Sequence, residues 1–165
     1  MSTANLSLSE SFKVVDATAG VVTTSGGITS SYVSLKHAHK AWIVLLFTQA
    51  GVDASVIQPR VATAVAPVGA TDITFPAAIW ANEDTAASDT LVKQTSATSY
   101  TLTADIKKKM VVFEIDPSDV VAMGTGYDCL GFTIVAGQKA TNFVAGYFVL
   151  AERFAQATPP SAITD

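Results

Sequence analysis

A single cysteine, Cys129, stands among 165 residues. No intramolecular disulfide can therefore staple the fold, and nothing points to an oxidising compartment. Charge is scarce as well: Asp, Glu, Lys and Arg make up 15% of the chain, against about 25% in an average soluble domain. The net charge is −4, and the basic stripe of a nucleic-acid binder is missing. The one basic run is Lys107, Lys108 and Lys109. His37 and His39 are the only histidines, which leaves little for imidazole acid–base catalysis. The longest strongly apolar run, AWIVLLF at 41–47, is far shorter than the ~20 residues of a membrane helix. The opening MSTANLSLSES has neither the basic start nor the apolar stretch of a secretory leader. GxSxG, HExxH, Walker and GxGxxG motifs are all missing. The expectation is a protein that is not an enzyme and has no cofactor, metal, membrane span, nucleic-acid partner or small-molecule substrate.

What the chain does have is apolar bulk. Hydrophobic residues make up 49%, much of it Ala and Val, with Ser and Thr at most other positions. That composition suits a folded domain rather than a disordered chain. Its length is that of one domain, able to bury roughly 70% of its unfolded surface. A weakly charged surface is poorly protected against association, so the composition favours a protein that sits in an assembly.

Along the chain, residues 1–11 read as a polar N-terminal arm, 12–154 as the folded domain and 155–165 as a Pro-containing C-terminal tail. FKVVDATAGVVTT at 12–24 predicts two short strands or one bent strand. KAWIVLLFT at 40–48 is continuous, β-branched and about nine residues long, which predicts a buried central strand. SVIQPRVATAV at 55–65 follows a turn-like AGVDA and is expected to pair with it antiparallel. Pro59 cannot donate to a ladder, so that strand is bent, bulged or at an edge.

ITFPAAIWA at 73–81 is interrupted by Pro76, and NEDTAASD at 82–89 reads as an exposed loop. TLVKQT and SYTLT are short strands. KKKMVVFEID at 107–116 is a strand with Met110, Val112 and Glu114 on one face, and PSDV at 117–120 a turn. DCLGFTIVAG at 128–137 is a strand with Gly131 a bulge. In NFVAGYFVLAERF at 142–154, Phe143, Ala145, Tyr147 and Val149 fall on one side and Val144, Gly146, Phe148 and Leu150 on the other. LTADIKKKM at 102–110 has room for one short helical turn. Eight to ten short strands with frequent turns predict an all-β, single-domain antiparallel sandwich, jelly-roll-like, with extended arms at both ends.

Each candidate site has a plainer alternative. His37 and His39 share a strand face, as two metal ligands would, but no cysteine or close carboxylate joins them, so surface or interface histidines are the better reading. Asn82, Glu83, Asp84 and Asp89 gather oxygens of the kind calcium takes, yet the spacing fits no EF-hand. Asp116, Asp119 and Asp128 are explained by turn chemistry. Cys129 lacks a base to activate it and reads as a core thiol. Lys107, Lys108 and Lys109 read either as charged gatekeepers of a strand or as a contact with another subunit.

Four stretches, GVVTTSGGITSSYVSLKHAHKAWIVLLF (20–47), FPAAIWANEDTAASDTLVKQTSA (75–97), KKMVVFEIDPSDV (108–120) and YDCLGFTIVAGQKATNFVAGYFVLAERF (127–154), follow one another in an order that resembles a family of tailed-bacteriophage virion structural proteins. The shared series is Gly-Gly, a VSLK strand, an apolar strand, a W-N-D-T-D-T-L stretch, a V-F-E-I-D strand and a Y-D-C start to the next. The resemblance covers most of the chain outside the arms. It implies a small β-sandwich that decorates or cements the outside of a phage head, made in the bacterial cytoplasm. Its partners would be copies of itself, as a homotrimer, and the major capsid protein. The family supplies no catalytic residues to carry over.

The expected mechanism is cementing by buried area and exchanged arms. The residues expected at interfaces are Leu6, Leu8, Phe12, Pro59, Lys107, Lys108, Lys109, Pro159, Pro160 and Ile163. A neighbour would also be able to take the edge strand near Pro59. The competing readings are a tail-tube or head–tail joining subunit and a carbohydrate-binding head-fibre module using Trp42, Trp80 or Tyr100.

Overall fold

The computed structural model describes residues 8–23, 27–135, 142–154, 158 and 160–164. The elements, in chain order, are α1 (Leu8–Ser11), β1 (Phe12–Thr23), β2 (Ile28–Thr29), β3 (Val33–Ser34), β4 (Ala38–Thr48), β5 (Val56–Ala62), β6 (Thr71–Asp72), β7 (Ala78–Asn82), β8 (Val92–Lys93), β9 (Tyr100–Thr101), β10 (Lys108–Ile115), α2 (Pro117–Ala122), β11 (Cys129–Val135) and β12 (Phe143–Glu152). They form an all-β, antiparallel, two-sheet domain with little helix. Sheet A has the order β1-β12-β4-β10-β7-β8, and sheet B the order β2-β11-β5-β6, with β3 on β11 and β9 on β5.

The apolar run at 40–48 becomes β4, the central strand of sheet A, flanked by β12 and β10. Ala41, Ile43, Leu45 and Phe47 point inward. They meet Val111, Phe113 and Ile115 of β10 and Val144, Phe148 and Leu150 of β12 in one core with Ile57, Val61, Leu130, Phe132 and Ile134 of sheet B. Phe132 and Phe148 pack tilted across it, 5.9 Å between centroids. Each buried Val, Leu, Ile or Phe among them contributes about 1.5–3 kcal/mol of burial free energy. Gly146 lies inside this core because a Cβ there would come within 2.9 Å of Leu45 and Phe132.

The stretch at 12–24 is one bent strand. Its pairing with β12 slips between Asp16 and Val21, and Ala19 and Gly20 take positive φ, 54° and 92°. Asp16 Oδ1 accepts from the Thr18 N–H at 3.0 Å, and Thr18 Oγ1 in turn accepts from the Gly146 N–H at 3.0 Å. The bulge is thus tied to the neighbouring strand.

Several expectations are corrected. β4 and β5 do not form a hairpin; residues 49–55 carry the chain from sheet A to sheet B. Gly131 shows no register slip and is not a bulge. It is small because the Tyr32 ring lies flat over it, 2.7 Å from where a Cβ would sit. PSDV opens the short helix α2, capped by Asp116, whose side chain accepts from Ser118 N, with Pro117 in its first turn. Residues 102–107 hold no helix.

Both arms are also changed where they are described. Residues 8–11 of the expected N-terminal arm form α1 against β1. In the expected tail, Ala162 is buried and its carbonyl accepts from Ser34 N at 2.8 Å. That part of the C-terminal segment is docked on its own domain.

Candidate interaction surface

Residues in register across an antiparallel sheet share a face. On the outer face of sheet A, one row runs Val14, Val149, Trp42, Glu114, Ala78. The next runs Asp16, Tyr147, Val44, Val112, Trp80, Lys93. A third runs Ala145, Leu46, Met110, Asn82. The flanking rows are mixed: Phe12, Ala151 and Lys40 border the first row, and Phe143, Thr48 and Lys108 lie beyond the third. Most of these side chains are half-buried, and Val14, Leu46 and Phe143 are 53%, 40% and 42% exposed. Phe12 tilts against Trp42 with centroids 6.1 Å apart, and Lys93 Nζ lies 5.8 Å over the Trp80 ring.

The outer face of sheet B is different. Its rows read Thr29, Thr133, Gln58 and Gly131, Arg60, Asp72. Arg60 pairs with Asp72 at 2.9 Å, and its guanidinium also donates to Ala70 O at 3.0 Å. One apolar patch there, Ala62 and Cys129, is covered by the chain itself through Tyr32, Val65 and Ala70, while the pair Val56–Val135 at the other end of the face is left open, with Val135 57% exposed. Burial raises the Tyr32 hydroxyl pKa, partly offset by the nearby Arg60 charge.

The expected interface residues do not form one patch. Leu6 and Pro159 lie outside the described residues. Leu8 and Ile163 are exposed, 63% and 61%, and Pro160 is half-buried. Phe12 and Lys108 lie on the sheet A face, at opposite ends of it, Lys108 in the row of Thr48 and Phe143. Pro59 is buried in β5, and that flank is not an open edge. Its carbonyl accepts from Ile73 N, while β9 pairs at Val56–Ile57 and β6 at Arg60–Val61. The missing proline N–H falls in the gap between those two short strands, which is why proline is tolerated there.

The three lysines divide. Lys109 points inward from β10 and is 1% exposed, so it is not available to a partner. Its ammonium donates to Thr103 O at 2.6 Å and Thr103 Oγ1 at 2.7 Å and pairs with Glu83 at 3.0 Å. The other Glu83 oxygen accepts from the Tyr100 hydroxyl at 2.7 Å. Burial pushes the Glu83 carboxyl up, but hydrogen bonds from Tyr100, Lys109 and Thr103 outweigh it and hold the pKa below the ordinary value. Tyr100 is raised by burial and by the Glu83 carboxylate. Lys107 is exposed and pairs with Asp84 at 3.1 Å, and this contact lowers Asp84 and raises Lys107. Lys108 is exposed, and its carbonyl accepts from Thr85 N. The run is a clamp on the 83–85 loop.

The remaining candidates are committed to local structure. Glu83 and Asp84 serve that clamp, and Asn82 Oδ1 accepts from Asp84 N. Asp116 is held below its usual value by the Ser118 hydroxyl and N–H that it caps, and Asp128 pairs with Lys36 at 3.5 Å. Cys129 is buried. His37 and His39 are both exposed. A depression of about 420 Å³ beside His39 is lined by Asp116, Pro117 and Arg153, but Arg153 Nε donates to Ala38 O and Asp116 caps α2. Among the described residues no group of three or more His, Cys, Asp or Glu is placed to hold a metal ion, and no helix is long and apolar enough to cross a membrane.

The surface that sequence reasoning passed over is the sheet A face. Its signal was present: β12 is apolar at both parities, which marks a strand covered on both sides.

The class this defines is a two-sheet antiparallel β domain with one apolar face that no described segment covers. No family model matches the chain, and no curated protein matches its sequence significantly.

Proposed function

We propose that this chain is a structural subunit that works by having the outer face of sheet A covered, in a virion shell of the tailed-phage kind that its sequence resembles. The observation that carries the reading is that face, with three adjacent rows dominated by apolar side chains across up to six strands. Exposed apolar patches beyond a few hundred Å² mark interaction sites.

The strand order supports a jelly-roll reading. Taking β2 with β3 as one strand, the strands β1, β12, β4 and β10 face β2, β11, β5 and β6, the interleaving of an eight-stranded jelly roll, with β7 and β8 extending the first sheet. Viral capsid domains and lectins both use this architecture, and the fold alone does not choose between them. The uncovered apolar face favours the assembly role. The sugar-platform reading is weaker, because Lys93 already lies over Trp80 and Phe12 lies against Trp42. As a decoration or cement protein on the head exterior, the chain would stabilise the shell by adding interface area at many equivalent sites.

The test is composition and location. Virions from a phage encoding this chain should carry it in stoichiometric amounts on the head through a density gradient and in cryo-EM maps. Val112→Asp should strip it from the particles. Particles lacking the protein altogether would end this reading.

A further inference from the structure

We propose that the outer face of sheet A packs against the same face of a second copy, around a two-fold axis that runs along the strands between β4 and β10. This deepens the assembly reading by naming the partner, and it rests on that reading's premise that the face is covered.

Size is the first argument. Only the middle row crosses all six strands; the three rows and the two flanking ones together place 21 outward positions at about 33 Å² each, roughly 690 Å² in projection before side-chain relief. That approaches the ~800 Å² per partner of a standard interface. Two sheets of the same twist pack face to face at about −30° and about 10 Å apart, so a second copy is a natural cover.

Charge placement is the second. The middle row of the face has an acid at one end, Asp16, and a base at the other, Lys93. The sheet has six strands, so the proposed axis divides it evenly, three strands to each side. Rotation about that axis brings Asp16 opposite Lys93 of the copy, Tyr147 opposite Trp80, and Val44 opposite Val112. Each contact occurs twice, as an isologous interface requires. Both charged side chains are exposed in the single chain, and both lie at the rim, where they set register. In the adjacent row, Glu114 comes opposite Trp42, whose indole N–H is a donor for that carboxylate. Translating the copy by one strand loses this charge match, so the pairing is specific in register. A two-fold contact also builds even-numbered assemblies, in place of the trimer expected from the sequence.

The experiment uses the full chain. Mass photometry and analytical ultracentrifugation should show a dimer. Val44→Asp places a carboxylate beside the axis and should weaken dimerisation by more than about a hundredfold. Asp16→Asn keeps the acceptor for Thr18 N while removing the charge, and Lys93→Gln removes its partner. Each alone should weaken the dimer by about tenfold, and the double variant no further, because either change removes both symmetric pairs. Both substituted side chains are exposed, so the fold persists even where Val44→Asp fails to fold. A monomer at the highest attainable concentration, a trimer, or additive effects of the two charge changes would overturn the proposal. The functional reading is scored separately. A monomer that still binds virions leaves the assembly role standing without the dimer, and a dimer absent from virions does the reverse.

Discussion

The two outer faces of this sandwich differ in how they are finished. Sheet B carries Gln58, Arg60, Asp72 and Thr133 outward, and one small apolar patch on it is closed by Tyr32 and residues near Val65 and Ala70. Sheet A carries valines, tryptophans, Leu46, Met110 and Tyr147 outward, and no segment of the described chain closes it. The same alternating backbone supports both outcomes. The described chain folds back over part of sheet B and leaves the outer face of sheet A open.

The comparison can be broken at several points. The largest effect is expected at the polar clamp around the buried Lys109 ammonium. Glu83→Gln leaves the Lys109 ammonium buried without its counter-charge and should lower stability by about 2–3 kcal/mol in urea unfolding at neutral pH. The sign with pH follows from the depressed Glu83 carboxyl. Its contribution is complete above the ordinary value of 4.5 and is lost as pH falls through the lower folded value. Wild type and Glu83→Gln should therefore converge in stability on acidification, and a constant gap would contradict the charge argument. Lys109→Met removes the buried charge itself and should cost less, about 1 kcal/mol.

The self-covered face comes next. Gly131→Ala drives a Cβ into the Tyr32 ring and should destabilise by about 2 kcal/mol through overpacking, read as a lowered urea midpoint. A neutral result would mean that Tyr32 is not a fixed lid and that sheet B is closed less firmly than described. The smallest effect on folding belongs to sheet A. Leu46→Ser, on an outward side chain 40% exposed, should change the stability of the single chain by no more than about 0.5 kcal/mol while reducing its retention on particles. A large folding penalty there would show that the face is part of the core and would erase the contrast between the two sheets.

Much of the strand content was legible. β4, β10 and β12 are long, β-branched and apolar, and their alternation placed the right side chains on common faces, as for Phe143 and Tyr147 against Val144 and Phe148. The turn chemistry at Asp116–Pro117 marked a boundary, although it opened a short helix because Asp116 capped it. The site was less legible. The lysine run read as an interface, but strand alternation turns Lys109 inward between two outward neighbours, and a buried ammonium is tolerated only because Thr103, nearby in the chain, and Glu83, distant in sequence, both meet it. Pro59 read as an edge because one missing donor marks a flank, while the short strands that fill that flank carry almost no sequence signal.

The sequence by itself determined that this is a β domain with little charge and with strands apolar on both sides, because period-two alternation and β-branched side chains act locally. Only the tertiary structure decided which sheet each strand joins and which of its two apolar sides is left outside. That choice depends on contacts between segments far apart in the chain, and a strand's own residues do not encode which face a distant neighbour will cover.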